Sequence, residues 1–166
     1  SLLEIDNLHT TFRTRDGDVH AVRGVSFYVQ PGELVGIVGE SGCGKSVTCK
    51  SIVQLLGSNG RIAGGSIRFQ NDDLAQKTSE QMRAIRGNEI AMIFQDPMTA
   101  LNPVLTVGKQ MSEILVRNKK LSKKAAKAAA IAMLDQVGIA EAERRYHQYP
   151  HEFSGGMRQR VMIAIA

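Results

Sequence analysis

An α/β fold in three successive regions is what this sequence predicts, on three observations. The first thirty residues break into short β-type segments separated by turn residues. A continuous apolar run at residues 34–38 then leads through a glycine-rich turn into a helical stretch. From Thr106 onward, apolar residues recur at helical spacing. An uninterrupted apolar run between turn signals is the pattern of a strand buried on both faces. The expected architecture is therefore an antiparallel β region, an α/β core with buried strands, and a helical region.

Taken in order, Leu3, Ile5 and Leu8 precede Thr10-Thr11-Phe12, and Asp16-Gly17-Asp18 is a turn signal. Residues 19–22 and 25–29 follow as two more β-type segments before Pro31-Gly32 breaks the pattern, which reads as an antiparallel meander. After the strand at 34–38, the spacing of Ile52, Leu55 and Leu56 predicts a helix over 45–56, ended by Gly57. Gly64-Gly65 leads into a strand at 66–69, and residues 79–85 are helical. Residues 90–94 form a second candidate for a buried strand, followed at once by Gln95-Asp96-Pro97. Val107, Met111, Ile114 and Leu115 fall at i, i+4, i+7 and i+8 of one helix. A second is framed by Ser122 as N-cap and Gly138 past its end, with Ala130, Met133, Leu134 and Val137 as its apolar stripe. A third begins beside Ser154 and runs to the end of the sequence. The expected division is residues 1–97, the β subdomain with a partial α/β core, and residues 98–166, a helical subdomain.

Bulk properties narrow the class. At 166 residues, 43% hydrophobic and 22% charged with no Trp, the composition is that of a globular protein with an ordinary core. No apolar stretch approaches the ~20 residues of a membrane-spanning helix. Ser1-Leu2-Leu3-Glu4-Ile5-Asp6 lacks the basic-then-apolar pattern of a signal peptide, so a cytoplasmic location is expected. Cys43 and Cys49, six positions apart beside one helix, would be separated by ~9 Å of rise, too far for a bridge. Cys43 reads as a small residue tolerated in a tight loop. The net charge of +5 owes much to Arg117, Lys119, Lys120, Lys123, Lys124 and Lys127. No aromatic residues interleave them for base stacking, so no nucleic-acid partner is expected. The default reading is a solvated helical face, and the alternative is a surface close to anionic lipid.

Chemistry concentrates in two segments. Gly39-Glu40-Ser41-Gly42-Cys43-Gly44-Lys45-Ser46 matches G-x-x-x-x-G-K-S between an expected strand and an expected helix, the context a phosphate-binding loop requires. Its glycines let successive N–H groups turn inward on phosphate oxygens, and the helix N-terminus adds its positive end. Lys45 has the reach for β- and γ-phosphates, and the Ser46 hydroxyl suits Mg²⁺. With Ser41, Cys43 and Val47 these residues form the candidate nucleotide-binding set. The motif alone leaves ATPases, GTPases and small-molecule kinases open. Gln95, at the end of the second expected strand, narrows the field, since its amide suits Mg²⁺ or a water. Ser154-Gly155-Gly156 before a helix is either an N-cap with a flexible entry or a second anion site. In the second case two copies would bind nucleotide between them.

The phosphate loop, Gln95-Asp96-Pro97 and Phe153-Ser154-Gly155-Gly156-Met157-Arg158-Gln159-Arg160, in that order, resemble ABC transporter ATP-binding subunits. Phe94-Gln95-Asp96-Pro97-Met98-Thr99-Ala100-Leu101-Asn102-Pro103 and Tyr149-Pro150-His151-Glu152-Phe153-Ser154-Gly155-Gly156-Met157 resemble the subgroup serving oligopeptide, dipeptide and nickel importers. Met157 replaces the Gln common in the wider superfamily. The resemblance implies a P-loop NTPase of the ABC type, with ATP and Mg²⁺ as ligands. It gives Lys45 and Ser46 to the phosphates and Mg²⁺, and Gln95 to the metal or γ-phosphate and to communication with the membrane subunit. Ser154, Gly155 and Gly156 would meet the γ-phosphate held by the opposite subunit. Phe12 is the candidate for stacking on adenine, with His20 or Val22 beside it. Implied partners are transmembrane permease subunits, a second ATP-binding subunit, identical or not, and indirectly an extracytoplasmic solute-binding protein, with the chain peripheral at the cytoplasmic membrane face. The family pattern continues with an apolar strand ending in Asp-Glu and a switch His, neither present in this sequence. The expectation is thus an N-terminal fragment with an incomplete core sheet, which binds ATP without hydrolysing it. Non-transport ABC ATPases of the DNA-repair or chromosome type are the alternative, but the compact segment between the motifs argues against their long insertions. An unrelated P-loop NTPase would leave the Gln95 and Ser154 segments unexplained.

Overall fold

The computed structural model describes residues 1–96 and 100–166. Pro97, Met98 and Thr99, which carry part of the Gln95-to-Pro103 resemblance and the expected boundary at 97/98, lie outside the described residues. The chain divides into two compact units, Ser1–Arg86 and Gly87–Ala166.

The first unit is built on an antiparallel sheet of order β2-β1-β3-β4, with β1 at Leu3–Thr14, β2 at Gly17–Val29, β3 at Gly60–Phe69 and β4 at Asp72–Asp73. The expected meander is present, but its short segments merge into two long strands joined at Arg15-Asp16, with Thr14 paired to Gly17. A register irregularity in β1, between Ile5 and Leu8 against β2 and between Asp6 and His9 against β3, explains the broken sequence pattern. A bulge adds one residue to the alternation, so Ile5 and Leu8, three apart, are both buried. Asn7, in the bulge at φ 47°, passes its N–H to Ser26 Oγ at 2.8 Å. Ile5 pairs with Phe27 on one side and Ile67 on the other, at the centre of the buried face. Burying such a side chain stabilises by roughly 1.5–3 kcal/mol.

Helix α1 occupies Lys45–Ile52, shorter than the expected 45–56. Its end is set from a distance in sequence: Arg86 donates from Nε to the Val53 carbonyl at 2.6 Å and from Nη2 to that of Gln54 at 3.0 Å. Gln54 itself turns to φ 51° and donates its side-chain amide to the Leu74 carbonyl. Helix α2, Ser79–Ile85, lies where expected and opens on a capping box between Thr78 and Gln81.

The second unit contains α3 (Val107–Lys119), α4 (Lys123–Gln136), α5 (Ala142–Tyr146) and α6 (Gly155–Ile165). Thr106, Ser122 and Ser154 cap α3, α4 and α6, each accepting the N–H three residues on. Val107, Met111, Leu134, Ile139, Phe153 and Val161 belong to the buried core of this unit. Only α5 was not legible: it has five residues, and its N-cap, Glu141, is in a left-handed conformation at φ 55° and makes no side-chain cap. The middle of α6 is tied to the turn after α4 by Arg160 Nη1 donating to the Gly138 carbonyl at 3.0 Å.

The two buried strands expected at 34–38 and 90–94 are not formed. The sheet described here is wholly antiparallel, and the core layer is only partial. Leu34 is 97% and Val38 92% exposed, and Ile93 and Phe94 are exposed as well. A strand exists only as a hydrogen-bonded ladder, and side chains apolar on both faces need a layer on each side. Among the described residues neither run has these. No described helix is long and apolar enough to cross a membrane.

In α3, a Cβ added to Gly108 would run into the ring of Tyr146, whose hydroxyl is 2.8 Å from Ser112 Oγ. Helix propensity favours alanine over glycine by up to ~1 kcal/mol, but overpacking against a held ring costs about 1–3 kcal/mol. Gly108→Ala is therefore expected to lower the urea midpoint of the second unit. A raised midpoint would show that the ring yields.

Candidate functional site

Residues 39–44 run as an irregular loop into α1, with Gly42 at φ 82° and Gly44 at φ 96°. Gly44 is the N-cap of α1 and offers no side-chain hydrogen bond, and the first turn holds no acidic residue. The first amides of α1 thus have no side-chain acceptor from the cap, whereas Thr78, Thr106, Ser122 and Ser154 supply one elsewhere. A helix start of this kind favours an anion by dipole and by donors.

The Lys45 ammonium folds back over this opening. It donates to the carbonyls of Gly39 at 2.8 Å and Glu40 at 2.6 Å, and lies 3.6 Å from Cys43 Sγ. The side chain holds the loop in a closed curl and places a positive charge at its centre. The curl is tight, because a Cβ on Gly39 would fall 2.8 Å from Cys43 Sγ. Ser41, Gly42, Cys43 and Ser46 are exposed, and Lys45 and Val47 are half-buried. The Ser46 hydroxyl has no protein partner among the described residues.

Beneath the loop, α1 is seated by residues that carry no motif. A Cβ at Gly44 would stand 2.6 Å from the Ala21 carbonyl oxygen and 3.7 Å from Val22 Cγ2, so β2 passes directly under the loop–helix junction. Thr48 Oγ1 donates back to the Gly44 carbonyl at 3.0 Å. Ser51 Oγ donates to the Val47 carbonyl at 2.8 Å and lies 2.8 Å from the buried Thr10 Oγ1. The signal for these residues was two hydroxyls at i+4 and i+7 from Gly44, on a helix whose inner face was expected to be apolar.

Of the residues expected around the base, Val22 is buried against this junction. His20 is exposed, with Nδ1 3.1 Å from Thr11 Oγ1. Phe12 is half-buried opposite Val19 and Gly60, its ring edge so close to β3 that a Cβ on Gly60 would sit 2.7 Å from Cε1.

Gln95 and the Ser154 element belong to the second unit. Gln95 is exposed in a bend. Ser154 Oγ accepts the Met157 N–H at 3.3 Å, which leaves its own proton free to donate. Gly155 and Gly156 are exposed, a Cβ on either would meet open space, and no acidic residue lies in the first turn of α6. Before them, Tyr149 and His151 stack at 5.8 Å, and Arg158 Nε donates to the Pro150 carbonyl at 2.8 Å. A carboxyl held below its ordinary range, that of Glu141 hydrogen-bonded by Arg144, lies at the start of α5 away from these groups.

Comparison with known proteins matches residues 22–166 to the ABC transporter family. The dipeptide transport ATP-binding protein DppD of Bacillus subtilis is 56% identical over 99% of this chain and 50% of its own length. The oligopeptide transport ATP-binding protein OppD of Salmonella typhimurium is 50% identical over 99% of this chain and 49% of its own. The chain spans about half the length of the curated relatives it matches. Among solved structures, the dimeric ATP-binding cassette MJ0796 in a post-hydrolysis state with ADP and Pi is similar with a TM-score of 0.86 at 25% identity. That match covers 98% of this chain and 68% of the other.

Two glycine substitutions separate packing from access. Gly44→Ala forces a Cβ onto the Ala21 carbonyl at a positive φ, and is expected to destabilise the first unit by about 1–3 kcal/mol. Gly156→Ala, in open space, is expected to leave stability unchanged or raise it by up to ~1 kcal/mol. Denaturant titration of the two variants checks both signs.

Proposed function

This chain belongs to the ABC transporter family, and on that premise we propose that it is part of the ATP-binding subunit of a bacterial importer. Its cargo is peptides, or related small solutes such as nickel, and the subunit couples ATP binding and hydrolysis to transport. The observation that carries the nucleotide reading is the start of α1: donors without a side-chain acceptor, no acidic residue in the first turn, and the Lys45 ammonium above them. The peptide-importer reading rests on identity of 50–56% to dipeptide and oligopeptide transport ATP-binding proteins.

In this reading the phosphates of ATP replace the Gly39 and Glu40 carbonyls as partners of Lys45, and the amides of residues 42–46 close around them. Ser41, Cys43 and Val47 complete the cradle, and Phe12 offers its ring to the adenine. Ser46, exposed and without a partner among the described residues, would suit Mg²⁺, and the exposed amide of Gln95 in the second unit is suited to the same ion. When bound, such an ion would offset phosphate charge. The free Ser154 proton and the open amides of Gly155 and Gly156 serve the γ-phosphate of nucleotide held by a second ATP-binding subunit. Permease subunits hold the assembly at the cytoplasmic membrane face and connect it indirectly to a solute-binding protein. In this reading the 166 residues by themselves bind MgATP without turning it over.

Thermal unfolding with and without MgATP tests this reading. At a hundredfold excess over Kd, a ligand of the folded state adds about 2.7 kcal/mol. The expected result is an upward shift that Lys45→Ala abolishes, with no phosphate release above background. A shift that survives Lys45→Ala would remove the loop from the site. Turnover that Lys45→Ala abolishes would show that the chain contains its own catalytic base.

A further inference from the structure

The basic surplus of this protein has a single address. Between Glu113 and Asp135 the sequence holds six cations and no acidic residue, and the rest of the chain carries 15 cations against 16 anions. The net charge of +5 is thus wholly the property of the hairpin formed by α3 and α4. Arg117 and Lys119 stand in the last turn of α3, Lys120 closes it in the left-handed conformation at φ 53°, and Lys123 and Lys124 open α4. All five are exposed, and among the described residues none has a carboxylate within salt-bridge distance. Lys127 is held apart from them, 5.5 Å from the Tyr146 ring centroid and 3.4 Å from His147 Nε2.

This placement departs from what a solvated helix pair needs. Cations in the last turn of α3 complement its dipole, but Lys123 and Lys124 sit at the positive end of α4, where acidic residues are favoured. With the five charges gathered at one turn, within a few residues of one another, mutual repulsion adds to that cost. A nearby surface of negative charge removes both penalties. We propose that the tip of the α3–α4 hairpin docks on an anionic lipid surface. The chemistry selects lipid over nucleic acid: no aromatic side chain occurs from residue 114 to 134 for base stacking. Beside the cations stand aliphatic residues instead, Val116 exposed and Leu121 half-buried, as suits the boundary between headgroups and acyl chains. The contact uses no residue of the nucleotide loop, so it stands or falls independently of the ATP reading.

Flotation of the purified chain with phosphatidylcholine vesicles, and with phosphatidylcholine–phosphatidylglycerol vesicles, tests the proposal. Binding is expected only to the second kind, and is lost as NaCl rises from ~0.1 to ~1 M and the screening length falls from ~10 to ~3 Å. Neutralising Lys119, Lys120, Lys123 and Lys124 together to Gln should weaken binding at least ~tenfold. Neutralising Arg15, Lys50, Arg68 and Arg83 to Gln, four exposed cations elsewhere, should not. The thermal transition of each variant verifies that it is folded, and the salt and lipid dependence of the unaltered chain gives a result even if one is not. Failure to bind the anionic vesicles, equal binding to both kinds, equal loss in the two quadruple variants, or tighter binding to duplex DNA than to anionic vesicles would each overturn it.

Discussion

The seating of α1 on the sheet is the constraint on which the first unit depends. Ser51 has one hydroxyl proton, and it goes to the Val47 carbonyl. Its oxygen therefore accepts from Thr10, and this buried pair ties the helix to β1 across 41 residues of sequence. Both hydroxyls are out of reach of solvent, so leaving either without a partner would cost about 1–3 kcal/mol. The network is closed, and it fixes the helix in rotation as well as position. One turn earlier, Gly44 rests on the Ala21 carbonyl, where only a residue without a Cβ fits. The two contacts together set the angle at which the loop meets the helix, and hence where the first amides point.

Lys45 is the counterpart of that seating. A long flexible ammonium loses rotamer entropy when it is held, by roughly 1.5–2 kcal/mol. Here it is held by two carbonyls of its own loop. The loop is thereby prefolded around a positive charge, and in the proposed reading a phosphate would take the place of those carbonyls without having to order the backbone.

The second unit is stabilised by different means. Helices α3 to α6 share an apolar core, and α3, α4 and α6 carry a Ser or Thr cap. Tyr146 joins α5 to α3 through its hydroxyl and through the gap that Gly108 leaves for its ring. Such a core tolerates the charged tip of the α3–α4 hairpin because its buried contacts lie further along the helices, at Met111, Ala130 and Leu134.

What the sequence by itself determined was everything local. Ser122 and Ser154 announced helix starts because a cap acts over three residues. The curl at residues 39–45 was legible because Lys45 and the Gly39 and Glu40 carbonyls that hold it lie within one short stretch of sequence. What only the tertiary structure decided were features whose partners lie far along the chain. Arg86 ends α1 by taking carbonyls more than thirty residues away. The bulge at Asn7 joins what read as separate short strands, and Val22 packs under the loop–helix junction. Residues 34–38 carry the composition of a buried strand, yet pair with nothing described and stand exposed. Composition can state that a segment is fit to be buried between layers, but a strand is made by the hydrogen bonds of a neighbour, and no residue within the segment can supply those.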